Sequence, residues 1–281
     1  MKNKLIGAIF IVLIFAFMFA GNTGKGSAGI DSIKDPDLKF IVVGDPHVKA
    51  IDNNDTGAER LRSIVGTVNN MDTDFVVFMG DITDAGTRKQ YALSKDILSN
   101  LKKPYYMVIG NHDIMASDDM FQEYYGSPEK IETIKSRNTG DIYQLLFVGT
   151  RADRNSGGSV TDLYWSFDFN KVNKTIPTLV FAHTPIRCPS STYISCKLNE
   201  KALIYGKSME QELDKFTNLL GVYSGHIHRD SEETVNGVKY VTVNGLVSIG
   251  IAGIFAQASD EIGYSVIKDG VLYYQLIPYK T

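Results

Sequence analysis

All five histidines of the chain fall within one ordered set of short motifs: Asp45-x-His47, Gly80-Asp81-x-x-Asp84, Gly110-Asn111-His112-Asp113, His183 and Gly225-His226-x-His228. None is left over for an ordinary surface or core position. Imidazole nitrogen mixed with carboxylate oxygen suits hard-to-borderline divalent ions, and no thiolate belongs to the set. Two carboxylates, an amide oxygen and four imidazoles exceed the needs of a single tetrahedral ion. They suit two ions sharing a bridging Asp. With Asp45 and Asp81 as the only anionic ligands, two divalent cations keep a net positive charge that attracts an anion. Such a pair, roughly 3.5–4 Å apart, lowers the pKa of bound water and clamps the attacking and leaving oxygens of a phosphoryl transfer.

Each residue also has an ordinary reading. Asp45 and Asp81 have the type and place of helix N-caps. His183 follows Leu179-Val180-Phe181-Ala182, as a core histidine would, and Asn111 after Gly110 suits a turn. Joint occurrence favours the metal site over these separate accounts. Asp84 reads equally as a support for the bridging Asp or as the cap of the next helix. Arg187, four residues after His183, has the donor fork that phosphate takes. Arg88 and Arg229 are weaker candidates of the same kind. Tyr105, Tyr106 and Trp165 have rings that stack on a base or sugar, and fit the core or rim at least as well.

The elements that must carry these motifs alternate. Phe40 to Val43 reads as a buried strand ended by Gly44-Asp45, Ala58 to Met71 as a helix, and Phe75 to Met79 as a strand ended by Gly80-Asp81. Arg88 to Leu101 is predicted helical, and Tyr105 to Ile109 is a strand ended by Gly110-Asn111. Strand and helix in this alternation specify βαβ units and a parallel sheet. The carboxyl ends of such strands gather on one edge, where ligands bind. Thr178 to Ala182 and Leu220 to Ser224 deliver His183 and Gly225-His226 in the same manner. Later, Asp141 to Gly149 and Asp162 to Phe169 read as strands around a polar loop, Arg151 to Gly158. Asn236-Gly237 and Asp269-Gly270 are hairpin turns. A second, largely antiparallel sheet is expected within one two-sheet domain.

The chain has 281 residues, 43% hydrophobic and 22% charged, enough for one large α/β domain. Its formal charge of −3, with no Lys/Arg-rich stretch near the motifs, disfavours nucleic acid as a partner. Lys2 and Lys4 precede an apolar run from Leu5 to Ala20, so residues 1–24 read as a signal peptide or N-terminal membrane anchor. Either places the remainder of the chain outside the cytoplasm, secreted or anchored to the membrane. Residues 25–37 read as a flexible tether, and the folded domain is expected over 38–281. Cys188 and Cys196 have the spacing of a small disulfide loop in an oxidising compartment. Asn54-Asp55-Thr56 and Asn173-Lys174-Thr175 are glycosylation sequons. Oligomeric state leaves no signal.

In type, order and strand-end context, Asp45-Pro46-His47, Gly80-Asp81-Ile82-Thr83-Asp84, Gly110-Asn111-His112-Asp113, His183 and Gly225-His226-Ile227-His228 resemble the motifs of the calcineurin-like metallophosphoesterases. The resemblance runs from residue 45 to 228. It implies a four-layer α/β/β/α sandwich of two packed mixed sheets. It further implies two divalent ions, with Mn, Fe or Zn as the expected metals. Asp45, His47, Asp81 and His228 would hold one ion, and a bridging Asp81 with Asn111, His183 and His226 the other. His112 would stay uncoordinated and protonate the leaving oxygen, Asp113 would orient it, and a bridging hydroxide would be the nucleophile. Purple acid phosphatases of the wider superfamily carry a Tyr ligand where this chain has Asp84, which disfavours that branch. Gly80-Asp81-Ile82-Thr83-Asp84-Ala85-Gly86 is similar to the branch with class III cyclic-nucleotide phosphodiesterases. The expected activity is hydrolysis of small phosphate mono- or diesters. Cyclic-nucleotide hydrolysis, nuclease action and an inactive metal-binding scaffold are the alternatives. Substrate choice is expected to lie in Met115 to Arg137, Arg151 to Asp162 and Cys188 to Lys201.

Overall fold

A computed structural model of the chain describes residues 29–51, 55–154, 160–187, 209–248 and 258–279. The apolar N-terminal run, the first part of the tether, Asn54, Cys188 and Cys196 lie outside the described residues, and no described helix is long and apolar enough to cross a membrane. Residues 1–32 and 33–281 separate into two units, and of the first the described part is one 3-10 turn, Ile30–Ser32.

The second unit is built on two sheets. The first has the order β12-β11-β1-β2-β3, from Val271–Pro278, Glu261–Lys268, Leu38–Val43, Phe75–Phe78 and Tyr105–Met107. β1, β2 and β3 run parallel, as the βαβ pattern predicts. The helices between them are α1 (Thr56–Val68) and α2 (Arg88–Leu98), and α3 (Asp119–Tyr125) follows β3. The second sheet has the order β4-β5-β7-β8-β10-β9, with β6 paired to β5. Its strands are β4 (Lys130–Lys135), β5 (Ile142–Arg154), β6 (Val160–Ser166), β7 (Thr178–Ala182), β8 (Leu219–Ser224), β9 (Ser231–Val235) and β10 (Val238–Thr242).

Alternation along the strands makes the layers. Phe40, Val42, Phe75, Val77 and Met79 meet Leu145, Phe147, Leu179, Phe181 and Tyr223 in a core between the sheets. Phe147 stacks on Phe181 at 5.3 Å, and Phe181 on Tyr223 at 5.3 Å. The intervening residues Ile41, Val43, Val76 and Phe78 are buried too, as are Leu61, Ile64, Val65 and Val68 of α1. On the far face of the second sheet, Leu146, Val148, Val180 and Val222 pack with Phe169, Met209, Leu213 and Phe216, and Trp165 joins this apolar cluster. The result is the α/β/β/α sandwich of two mixed sheets.

Two expectations need correction. The second sheet is not largely antiparallel, since β5, β7, β8 and β10 pair in parallel and only its margins reverse. The Asp269-Gly270 hairpin belongs instead to the first sheet, where β11 lies antiparallel to β1. A hairpin turn is a local signal, whereas parallel neighbours joined by long connections leave none, so the visible turns misrepresent the sheet's centre. Met115 to Arg137, where substrate choice is expected to lie, holds α3 and β4.

Candidate metal centre

Parallel order places the C-terminal ends of β1, β2, β3, β7 and β8 on one edge, and a bridge between Gly44 and Gly245 joins the two sheets there. The backbone at this edge is unusual. Asp45 (φ 38°), His47 (φ 47°), Asp81 (φ 47°), His226 (φ 68°) and His228 (φ 51°) all lie in the left-handed region. For residues bearing a Cβ this conformation costs about 1–2 kcal/mol each. Five such residues at one place mark a site where aim outweighs local stability.

The side chains converge. Ligand atoms of Asp45, His47 and His228 lie within 4.8 Å of one another, and so do those of Asp81, His183 and His226. The two groups touch. His47 Nε2 is 3.2 Å from His228 Nε2 and 3.6 Å from an Asp81 oxygen, and His183 Nε2 is 3.3 Å from that same oxygen. Asn111 Oδ1 sits 3.0 Å from His183 Nε2. Asp45, His47, Asp81, His183 and His228 are buried, while Asn111, His112, Asp84 and His226 are half-buried and form the mouth. A third trio, His47, Asp84 and His112, shares His47 with the first and lies at this mouth.

Neither Asp45 nor Asp81 caps a helix. Asp55 caps α1, accepting from Ala58 N at 3.1 Å, and Thr87 occupies the N-cap of α2. Asp84 is therefore no cap either. Instead the Asp45 carboxylate accepts the His226 N–H at 3.0 Å, and Asp81 Oδ1 accepts the His112 N–H at 2.8 Å. These bonds stitch motifs more than 30 residues apart.

The donor set fits divalent metal. Carbonyl oxygens of Met79 (2.7 Å) and Val247 (2.9 Å) accept from Nδ1 of His183 and His228, which turns both Nε2 atoms inward. His228 Nε2 then faces His47 Nε2 as an acceptor, beside a carboxylate, an arrangement suited to a shared cation. The buried charges also depend on one another. Burial alone would lift Asp81 and depress His183. Asp81 nevertheless lies well below the usual carboxylate range because His183 and His47 flank it, and His183 is raised to about 10 by Asp81 and Asp45. Burial lifts Asp45 to about 6 and depresses His228, while burial and the neighbouring His183 depress His226.

The expected His112–Asp113 pairing is not found. Asp113 is fully buried and accepts from Gly110 N (2.9 Å), Thr83 N (2.9 Å) and Thr83 Oγ1 (2.8 Å), tying the loop after β2 to the loop after β3. His112 Nδ1 faces the Asp84 backbone carbonyl at 2.6 Å instead. Adjacent residues on a tight loop point apart, so sequence neighbourhood misassigns the partner. Asp84 Oδ1 also lies 3.5 Å from His47 Nδ1. Arg187 is engaged elsewhere, 2.8 Å from Glu210 and over the Tyr240 ring. Arg88 pairs with Glu123 at 2.8 Å, and Arg229 is exposed. Trp165 packs on Phe169 at 5.9 Å, in keeping with its core reading. Thr83, within the stretch 80–86 that carries the resemblance, and Tyr91, whose hydroxyl donates to the Asp113 carbonyl at 2.8 Å, support the site through Asp113, a role their residue types alone do not announce.

Comparison with known proteins gives a consistent family picture. The calcineurin-like phosphoesterase family model matches residues 38–230. A probable glycerophosphodiester phosphodiesterase of Arcobacter nitrofigilis is 27% identical over 179 residues, 60% of this chain and 62% of the relative. A probable cyclic nucleotide phosphodiesterase of Ruthia magnifica is 25% identical over 65% of this chain and 74% of its own length. The chain thus spans less than two thirds of the first of these relatives. A dimetal phosphatase from Danio rerio shares the fold with a TM-score of 0.57 at 14% identity, over 87% of this chain and all of that one. Purple acid phosphatase from yellow lupin seeds also scores 0.57, at 13% identity, over 86% of this chain and 51% of that one.

Proposed function

The chain belongs to the calcineurin-like phosphoesterase family, and from that premise we propose that it hydrolyses small phosphate esters, diesters in particular, at a dinuclear metal centre. The observation that carries this reading is the pair of contiguous ligand groups meeting at Asp81. Asp45, His47, Asp81 and His228 would hold one divalent ion, and Asp81, Asn111, His183 and His226 would hold the other. When bound, such ions supply a water of low pKa and charge stabilisation for a phosphoryl transfer, with Mn, Fe or Zn suited to the donors. Asp81 reaches toward both groups, so one carboxylate offsets charge in each. A phosphate group would approach from the side where Asp84, Asn111, His112 and His226 are half-buried. His112 is the proton carrier. Its Nδ1–H is held by the Asp84 carbonyl, which leaves Nε2 able to hold a proton and pass it to the leaving oxygen. The diester preference is supported by relatives named as phosphodiesterases. The apolar run Leu5 to Ala20 after two lysines supports a secreted or membrane-anchored placement of the catalytic domain outside the cytoplasm.

The test is hydrolysis of bis(p-nitrophenyl) phosphate and p-nitrophenyl phosphate by metal-stripped protein reloaded with Mn, beside Asp81→Asn. Turnover restored by metal, lost in Asp81→Asn and faster on the diester is expected. Bound metal with no turnover on either ester would instead favour a binding scaffold.

A further inference from the structure

A cleft of about 320 Å³ opens at the margin of the sandwich, lined by Tyr105, Tyr106, Tyr124 and Tyr125 with Lys95 and Lys130 among its other residues. It shares no residue with either ligand group, and its volume is at the lower end of small-molecule sites, which run roughly 300–1,000 Å³. Its position is set by sheet order. β3 is the outer strand of the first sheet. Pairing to β2 uses the Pro104 carbonyl, which accepts from Val76 N at 3.0 Å, and Val108 N–H, which donates to Phe78 O at 2.9 Å. Alternation then turns the N–H and C=O groups of Tyr105 and Met107 to the open edge. Tyr105 and Tyr106 point to opposite faces of β3. Tyr105 packs edge-on to Phe78 at 6.0 Å, and Tyr106 stacks on the core residue Phe147 at 5.1 Å. The cleft therefore wraps a bare strand edge between aromatic walls.

Lys95 sets its charge. The ammonium lies 3.2 Å from the Tyr105 hydroxyl, 5.0 Å from the Tyr125 ring and 5.7 Å from the Tyr105 ring, and it meets no carboxylate among the described residues. Lys130, 5.6 Å from the Tyr106 ring, is paired with Glu132. Among the described residues, an exposed cation with no carboxylate partner thus lines the same cleft as the open edge of β3. A cationic ligand would be repelled here, and a purely apolar one would strip water from the ammonium without replacing it. A flat ring bearing an anion meets both demands, since aromatic faces receive the ring and charge-assisted hydrogen bonds receive the anion. We infer that this cleft is a second small-molecule site, which takes a planar aromatic anion with its charged group on Lys95 and the β3 edge.

The test is calorimetric titration of metal-loaded full-length protein with 1-naphthoate and, separately, the neutral 1-naphthalenemethanol. Saturating inorganic phosphate keeps the metal centre filled. One naphthoate is expected to bind with phosphate present, with the alcohol about fivefold or more weaker. Lys95→Gln should erase that preference while leaving ester hydrolysis and the urea unfolding midpoint unchanged. Loss of naphthoate binding on adding phosphate would place the ligand at the metal centre and overturn the inference. So would equal affinity in Lys95→Gln, or an absence of naphthoate binding. An acidic extended peptide that binds where naphthoate does not would assign the edge to strand pairing instead.

Discussion

The backbone carbonyl of Asp84 lies 2.6 Å from Nδ1 of His112. A carbonyl can only accept, so Nδ1 carries the proton and Nε2 is the nitrogen available for transfer. In the proposed reading His112 is a proton donor held from behind by backbone. His112→Ala should therefore lower kcat on an alkyl phosphodiester by about 10²–10⁴ while sparing most turnover of a p-nitrophenyl ester, whose leaving group needs no proton. Metal content by elemental analysis should stay at the wild-type value. Loss of an ion with the imidazole would make His112 a ligand and end the acid reading.

Because the bond to His112 comes from main chain, Asp84→Asn isolates the carboxylate beside His47 Nδ1. Outer partners that orient a ligating histidine typically contribute 10–100-fold in metal affinity, so Mn binding by equilibrium dialysis should weaken by about that factor. Preference for poor leaving groups should persist.

Gly245 stands where any Cβ would overlap the His228 ring. Gly245→Ala should displace that imidazole and reduce bound metal from two ions toward one, with circular dichroism unchanged. Full occupancy would show that the ring can give way.

Metal uptake should release protons. In the metal-free protein His183 is raised to about 10, so at pH 8 it carries a proton that an incoming ion must displace. Mn affinity therefore rises with pH from 7 toward 10. It falls further as pH drops through about 6, where Asp45 takes up a proton. Calorimetry in buffers of different ionisation enthalpy reads the proton count, and an affinity indifferent to pH between 7 and 9 would remove His183 from the ligand set.

Asp113 is a tie between loops. Asp113→Ala strands the buried N–H groups of Gly110 and Thr83, each unmet donor costing about 1–3 kcal/mol, so urea unfolding of metal-free protein should show a loss of about 2–5 kcal/mol. Asp113→Asn keeps one acceptor and should lose less. Equal stability of Asp113→Ala and wild type would refute the tie.

Much of the fold was legible because its signals are local. The apolar runs ending in Gly-Asp or Gly-Asn became β1, β2 and β3, and Thr178–Ala182 became β7 within the predicted bounds. The positive φ values at Asn236-Gly237 and Asp269-Gly270 match their reading as hairpin turns. Residue type and strand-end position likewise sufficed to gather Asp45, His47, Asp81, Asn111, His183, His226 and His228. Three-dimensional packing decided the rest. Which sheet received the last hairpin depended on β11 finding β1 more than 200 residues away. The partner of His112 depended on loop backbone, whose carbonyls are the same for every residue and leave no mark in sequence. Arg187 was drawn to Glu210 and Tyr240 by neighbours that no spacing encodes. Sequence determined which groups could do chemistry, because identity and period are properties of the chain. Tertiary structure decided which nitrogen faces which oxygen, because direction is settled only when distant segments pack together.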